Sequence, residues 1–301
     1  LAVGVVLGFA GASFAVSLPL ASRWYPPEHQ GKAMGIAGMG NSGTVFAALF
    51  APLLAKAFGW NNVLGFALIP LIIVFIAYMA LVKDSPDQPP AKSMSDYVAS
   101  YFGMLREGDA WWFMLFYGVT FGGFVGLGGS LPLWFTGELG MTPIHAGYAT
   151  AACVFGGSLV RPFGGALADR IGGIRTLSIV YMIAAALLVA IAFAPIAFAA
   201  MFPLFLAVMA TLGVGNGAVF QLVPQRFRHQ VGIMTGLVGF GGGVGGFYLA
   251  SSLGVAKQYT GSASAGFLIF AVLALIALAG LTTVKKRWRT TWGAAIQGVR
   301  I

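Results

Sequence analysis

Long apolar runs separated by short polar stretches organise this chain of 301 residues. A helix rises 1.5 Å per residue, so runs of about 20 apolar residues cross a hydrocarbon layer roughly 30 Å thick. Nine such runs predict nine membrane-spanning helices, over residues 1–24, 33–55, 59–82, 110–135, 146–168, 176–194, 196–223, 231–256 and 262–282. The divide near Pro195 is marked only by that proline and small apolar neighbours. Between the third and fourth runs, residues 83–109 are rich in Pro, Ser and Asp and read as the one long linker, with an interfacial piece expected around 97–104. The chain then ends in a basic tail, residues 285–301, which opens with Lys285, Lys286, Arg287 and Arg289.

Composition fixes the class. Hydrophobic residues make up 58% and charged residues 8% of the chain, with a mean hydropathy of +0.88, values that no water-soluble domain of this size presents. An all-α polytopic membrane protein is the expectation, and 44 glycines point to close helix packing through small residues. The single cysteine, Cys153, lies within an apolar run and reads as a small core residue. A net charge of +9 would suggest nucleic acid in a soluble protein; here the basic residues sit at helix ends and report orientation. Alternating the nine spans puts Arg23, Lys32, Lys83, Lys92, Arg106, Arg170, Arg175, Arg226, Arg228, Lys285, Lys286, Arg287, Arg289 and Arg300 on one side, and only Lys56 and Lys257 on the other. The first side is therefore cytoplasmic, with the basic C-terminus on it.

Arg161 is the one charge inside an apolar run. It lies about 12 Å of helix before Asp169 and about 24 Å after His145, too far for easy snorkelling either way. Facing a protein-lined cavity costs least, and there a fixed cation waits for an anion. The alternative is a guanidinium capped by helix carbonyls that holds two segments together. All eight carboxylates, and His29, His145 and His229, map to helix ends or loops, so no carboxylate proton relay is visible. Nothing in the chain matches a Walker motif, a nucleotide fingerprint or a metal cluster, so a secondary carrier without cofactor or metal is expected, and not an enzyme or an ATP-driven pump.

Two segments share glycine spacing, Gly35 to Gly40 (GIAGMG) and Gly236 to Gly241 (GLVGFG), each after a short basic loop. Parallel repeats of six helices are one way transporters are built. The segment Gly165 to Arg175 (GALADRIGGIR) resembles the cytoplasmic loop motif of the major facilitator superfamily, in the copy that follows helix 8 of twelve. In it a glycine allows the tight turn, Asp169 can cap a neighbouring helix N-terminus, and Arg170 and Arg175 can bridge to carbonyls or carboxylates. The resemblance numbers the nine spans as helices 4 to 12. It implies that residues 1–82 are the second half of an N-terminal six-helix bundle, 83–109 a cytoplasmic linker, and 110–284 a complete C-terminal bundle. It also implies a longer protein of roughly 400 residues, with three further spans of about 20 residues before Leu1.

A narrower resemblance is to the nitrate/nitrite porter family. GIAGMGNSG (Gly35 to Gly43) and GLVGFGGGVGG (Gly236 to Gly246) look like its glycine-rich signatures on helices 5 and 11, the second departing from a fuller form at Tyr248-Leu249. Arg161 in LVRPFGG matches the family's anion-holding arginine on helix 8. Tyr117, Phe121, Asn41 and Phe14 match its aromatic and amide positions on helices 7, 5 and 4. The family's second arginine, on helix 2, is not in this sequence. The chemistry fits: nitrate and nitrite are small planar anions, and a guanidinium is a planar fork. Tyr117, Phe121 and Phe124 share one helix face, and Tyr117 and Asn41 each need a partner if buried. Gly38, Gly40, Gly239, Gly241 and Gly243 remove side chains so that helices 5 and 11 can approach and slide. The resemblance implies a nitrate/nitrite transporter of the bacterial inner membrane, a monomer working by exchange or with protons as co-substrate. A carrier of another small anion, such as a carboxylate, is the other reading.

Overall fold

The computed structural model describes residues 2–83, 93–294 and 301, and every described element is helical. Eight helical stretches are long and apolar enough to cross a membrane: Gln30–Phe58, Trp60–Leu81, Gly108–Leu139, Pro143–Ile171, Gly173–Phe193, Phe198–Arg226, Arg228–Thr260 and Ser264–Thr290. Ahead of them, α1 (Ala2–Arg23) has 22 residues, about 33 Å of helix, and fills the place of the first predicted span. The divide at Pro195 stands: α10 (Gly173–Phe193) ends there and α11 (Phe198–Arg226) begins.

Three predicted spans are not continuous. The second divides into α2 (Gln30–Gly38), a 3-10 turn (Met39–Ser42) and α3 (Gly43–Phe58), because the glycines supply little helix propensity. The third divides at Ala67 into α4 (Trp60–Phe66) and α5 (Leu68–Leu81). The fifth divides at Val160 into α8 (Pro143–Leu159) and α9 (Arg161–Ile171), where Pro162 removes a backbone donor and crowds the preceding turn. Inside the linker, the expected interfacial piece is α6 (Met94–Leu105), started by a capping box in which Asp96 N–H donates to Ser93 Oγ. The remaining linker residues 84–92 lie outside the described residues.

The last six spans pack as one body. Its tightest seam joins α7 (Gly108–Leu139) to α12 (Val231–Thr260), where Gly118, Gly122 and Gly126 meet Gly241, Gly245 and Gly246 backbone to backbone. At the end where α7 begins, the buried Asp109 accepts from Arg226 Nε (2.8 Å), from Trp288 Nε1 (2.8 Å) and from Arg287 Nη2, tying α7, α11 and α13 (Ser264–Thr290) together. α13 runs on through Lys285–Arg289, so these residues form its last turns and not a separate tail, where their charge suits the helix's negative end. The earlier helices lean on this body: α1 on α12, α2 on α9 and α11, and α3 on α8. No residue of α5 is buried.

Candidate functional site

Two of the broken spans, the second and the fifth, lie side by side, and their breaks meet. Gly35 of α2 touches the backbone of Arg161 and Pro162, so close that a Cβ there would come within 2.8 Å of the Arg161 carbonyl oxygen. One turn on, a Cβ at Gly38 would sit 2.9–3.0 Å from Cζ, Nη2 and Nε of Arg161. Near-equal distances to three guanidinium atoms mean that the flat face of the group rests on Gly38. The Phe121 ring lies 5.5 Å from Cζ, a cation–π contact. Arg161 is thus 1% exposed, and its Nη2 donates to the Tyr117 hydroxyl at 3.1 Å.

The rest of its hydrogen-bonding capacity is unmet. Nε and Nη1 are buried without a partner, as is Nδ2 of Asn41 in the 3-10 turn. Guanidinium and amide NH2 groups only donate, so these three nitrogens call for acceptors. Ser158 Oγ, one turn before Arg161, and Thr235 Oγ1 on α12 are also buried and unpaired. The aromatic residues complete the wall. Phe14 of α1 stacks on Phe121 (5.9 Å between centroids, 16° between planes) and on Tyr117, which stacks on Phe121 at 4.8 Å. Phe220 of α11 meets Tyr117 edge-on at 4.9 Å and packs against Phe14. The rings force the guanidinium to present an edge.

Phe14, Gly38, Asn41 and Phe121 line a cavity of ≈ 890 Å³. A second, of ≈ 880 Å³, shares Asn41 with it and extends between α3, α4, α7 and α8. Among the described residues, no carboxylate lines either cavity.

Beside the site, the end of α9 caps a neighbouring helix. Asp169 accepts from the backbone N–H of Gly31 (3.2 Å) and of Lys32 (3.0 Å), at the start of α2. Gly172 turns the chain from α9 into α10 with φ +97°, a conformation that favours glycine. Arg170 and Arg175 are exposed.

The glycines singled out in the sequence divide by what they touch. Gly38 seats the guanidinium, and Gly241 packs on Met114 of α7. Among the described residues, Gly40 and Gly243 have open space where a Cβ would stand, and Gly239 would meet only Phe14, at 3.6 Å. These three line the cavity in this conformation and seat no helix. Phe124 is buried against Phe121 at 6.5 Å, as core. Sequence reasoning missed Phe220, Thr235, Ser158 and the Asp109 cluster. Only Asp109 carried a signal, an acid at a helix start with basic residues at two helix ends.

The profile of the Major Facilitator Superfamily matches residues 1–250. The nitrite extrusion protein of Bacillus subtilis is 34% identical over 275 residues, 91% of this chain and 68% of that protein. A probable nitrate/nitrite transporter of Mycobacterium tuberculosis is 31% identical over 280 residues, 91% of this chain and 69% of that one. In fold, the chain is similar to the fucose:proton symporter of E. coli, with a TM-score of 0.65 at 16% identity, over 90% of this chain and 72% of the symporter. With paired broken helices, an arginine buried between them and relatives of this kind, the chain belongs to the major facilitator superfamily, within its nitrate/nitrite porter family.

Proposed function

We propose that this protein is a secondary transporter that carries nitrate and nitrite across the membrane by alternating access. The observation that supports it best is the set of unmet donors: Arg161 Nε and Nη1, packed behind Gly38 and Phe121 of the cavity wall, and Asn41 Nδ2 in that wall are buried without a partner. A buried donor left unmet costs about 1–3 kcal/mol, and a planar oxyanion supplies the missing acceptors and the missing charge together. Tyr117 steadies one arm of the guanidinium, Phe121 and Gly38 hold its plane, and Phe14 closes the aromatic wall. The Asp169 cap holds α2 to α9 on the cytoplasmic side, so that face opens only when the cap is released.

In this reading the chain works as a monomer in the bacterial inner membrane with a cytoplasmic C-terminus, and residues 110–284 form one moving half. Among the described residues no carboxylate lines either cavity, which favours exchange of one anion for another over coupling to a carboxylate-borne proton. The test is uptake of labelled nitrate into proteoliposomes loaded with nitrite, or with buffer alone at imposed pH gradients. Uptake that needs internal nitrite and ignores the gradient is expected; uptake driven by the gradient alone would replace exchange with symport. The cavity of ≈ 890 Å³ also admits a larger anion such as a carboxylate. Competition separates the readings: nitrite should block nitrate uptake, and acetate in tenfold excess should not.

A further inference from the structure

Asn216 stands in the middle of α11, 1% exposed, with both Oδ1 and Nδ2 buried and unpaired. Two unmet polar atoms in an apolar helix are a cost that an isosteric leucine would not carry, so the amide calls for an explanation beyond packing.

Helix geometry fixes where the side chain points. Gly213 and Phe220, at i−3 and i+4, share its face. Gly213 is pressed against Gly157 and Val160 at the α8–α9 break, while Phe220 lies edge-on to Tyr117. The next residue, Gly217, backs onto the Arg161 carbonyl. The amide therefore enters the buried seam between Tyr117 on α7 and the turn that starts with Arg161, where Nε and Nη1 of that arginine also lack partners. One side of the seam holds donors alone, and the other holds an acceptor with nothing to accept from.

We infer that Asn216 is a positioning residue of the anion site, its Oδ1 accepting from the Arg161 guanidinium during the return of the empty carrier, a stage other than the conformation seen here, in which both are unpaired. Neutrality is what suits it to the task. A carboxylate in the same place would pair with Arg161 and cancel the charge that attracts the substrate, whereas an amide oxygen yields to an anion. The amide thus keeps an empty carrier's guanidinium aimed during the return step.

The inference rests on the anion-transport reading above, and wild-type uptake of nitrate by the intact transporter in proteoliposomes is the control for that reading alone. Given that control, Asn216→Leu should lower the KM for nitrate about tenfold, because a hydrogen bond to a charged group made only in the empty carrier no longer competes with the anion, and should lower kcat because the return step loses its aim. Its amount in the membrane and its melting temperature should be equal to or above wild type, a combination that a merely structural role does not produce. Asn216→Ser, which keeps a small acceptor, should stay within about threefold of the wild-type KM, and Asn216→Asp should lose nearly all uptake. An Asn216→Leu protein with KM within twofold of wild type, or one that loses kcat with KM unchanged, would overturn the assignment. So would wild-type uptake by Asn216→Asp.

Discussion

The two helices that break at the site break for different reasons, and the difference assigns them different work. Between α2 and α3 the interruption is the 3-10 turn Met39–Ser42, which holds Gly40 and the amide of Asn41 and is flanked by Gly38 and Gly43. Between α8 and α9 it is a single residue, Val160, forced by Pro162, and the charge follows at once as Arg161. The glycine break supplies absence, a bare surface for a flat group to rest on; the proline break supplies the group itself and fixes its height. Half a binding site on each side explains why neither segment reads as a site alone.

The largest effect should come from the charged side. Arg161→Lys keeps the charge but loses the planar fork and the fit against Gly38, so nitrate uptake should fall at least about 100-fold while the protein still inserts. Near wild-type uptake would dismiss the arginine from the site. On the glycine side, Gly38→Ala places a methyl where the guanidinium lies, at 2.9 Å from Cζ, and should cost about tenfold in kcat/KM. Its neighbour Gly40 has open space, so Gly40→Ala should stay within about twofold. Equal losses at both would mean that the turn needs glycine for its backbone and that the guanidinium seat is irrelevant. The mildest change is Pro162→Ala, which permits an unbroken helix through Val160. A shift of Arg161 along the helix should raise KM about threefold with uptake retained, and an unchanged KM would show that the break is held by packing on Gly35.

Arg161 was legible in the sequence because a charge in an apolar run contradicts its surroundings, and chain length alone measured its depth. Tyr117 and Asn41 were legible for a related reason, each a polar group whose satisfaction had to be found in the fold. Gly38 was legible only as a place where something comes close; that the something is a guanidinium from position 161 is a long-range fact that no local pattern holds. The spans were legible from hydropathy, their interruptions less so. A continuous apolar run hides the break at Val160, and hydropathy does not separate the basic end of α13 from a tail. Asn216 went unnoticed because an isolated amide among apolar residues is commonplace, and its distinction is that both of its polar atoms are unmet.

The Asp109 cluster bears on how the chain is made. Asp109 opens α7, the first span after the linker, and two of its three donors, Arg287 and Trp288, belong to the last turns of α13. During synthesis the carboxylate leaves the ribosome long before those donors exist, so α7 waits at the membrane surface with its anchor point at most partly filled, by Arg226 of α11, until α13 is made. Only when Trp288 emerges does the knot close around Arg226, and translation of the last helix becomes the step that commits the bundle to its final shape. Losing the last turns of α13 would take away the buried Trp288 ring and two of the three donors, leaving the carboxylate with Arg226 alone.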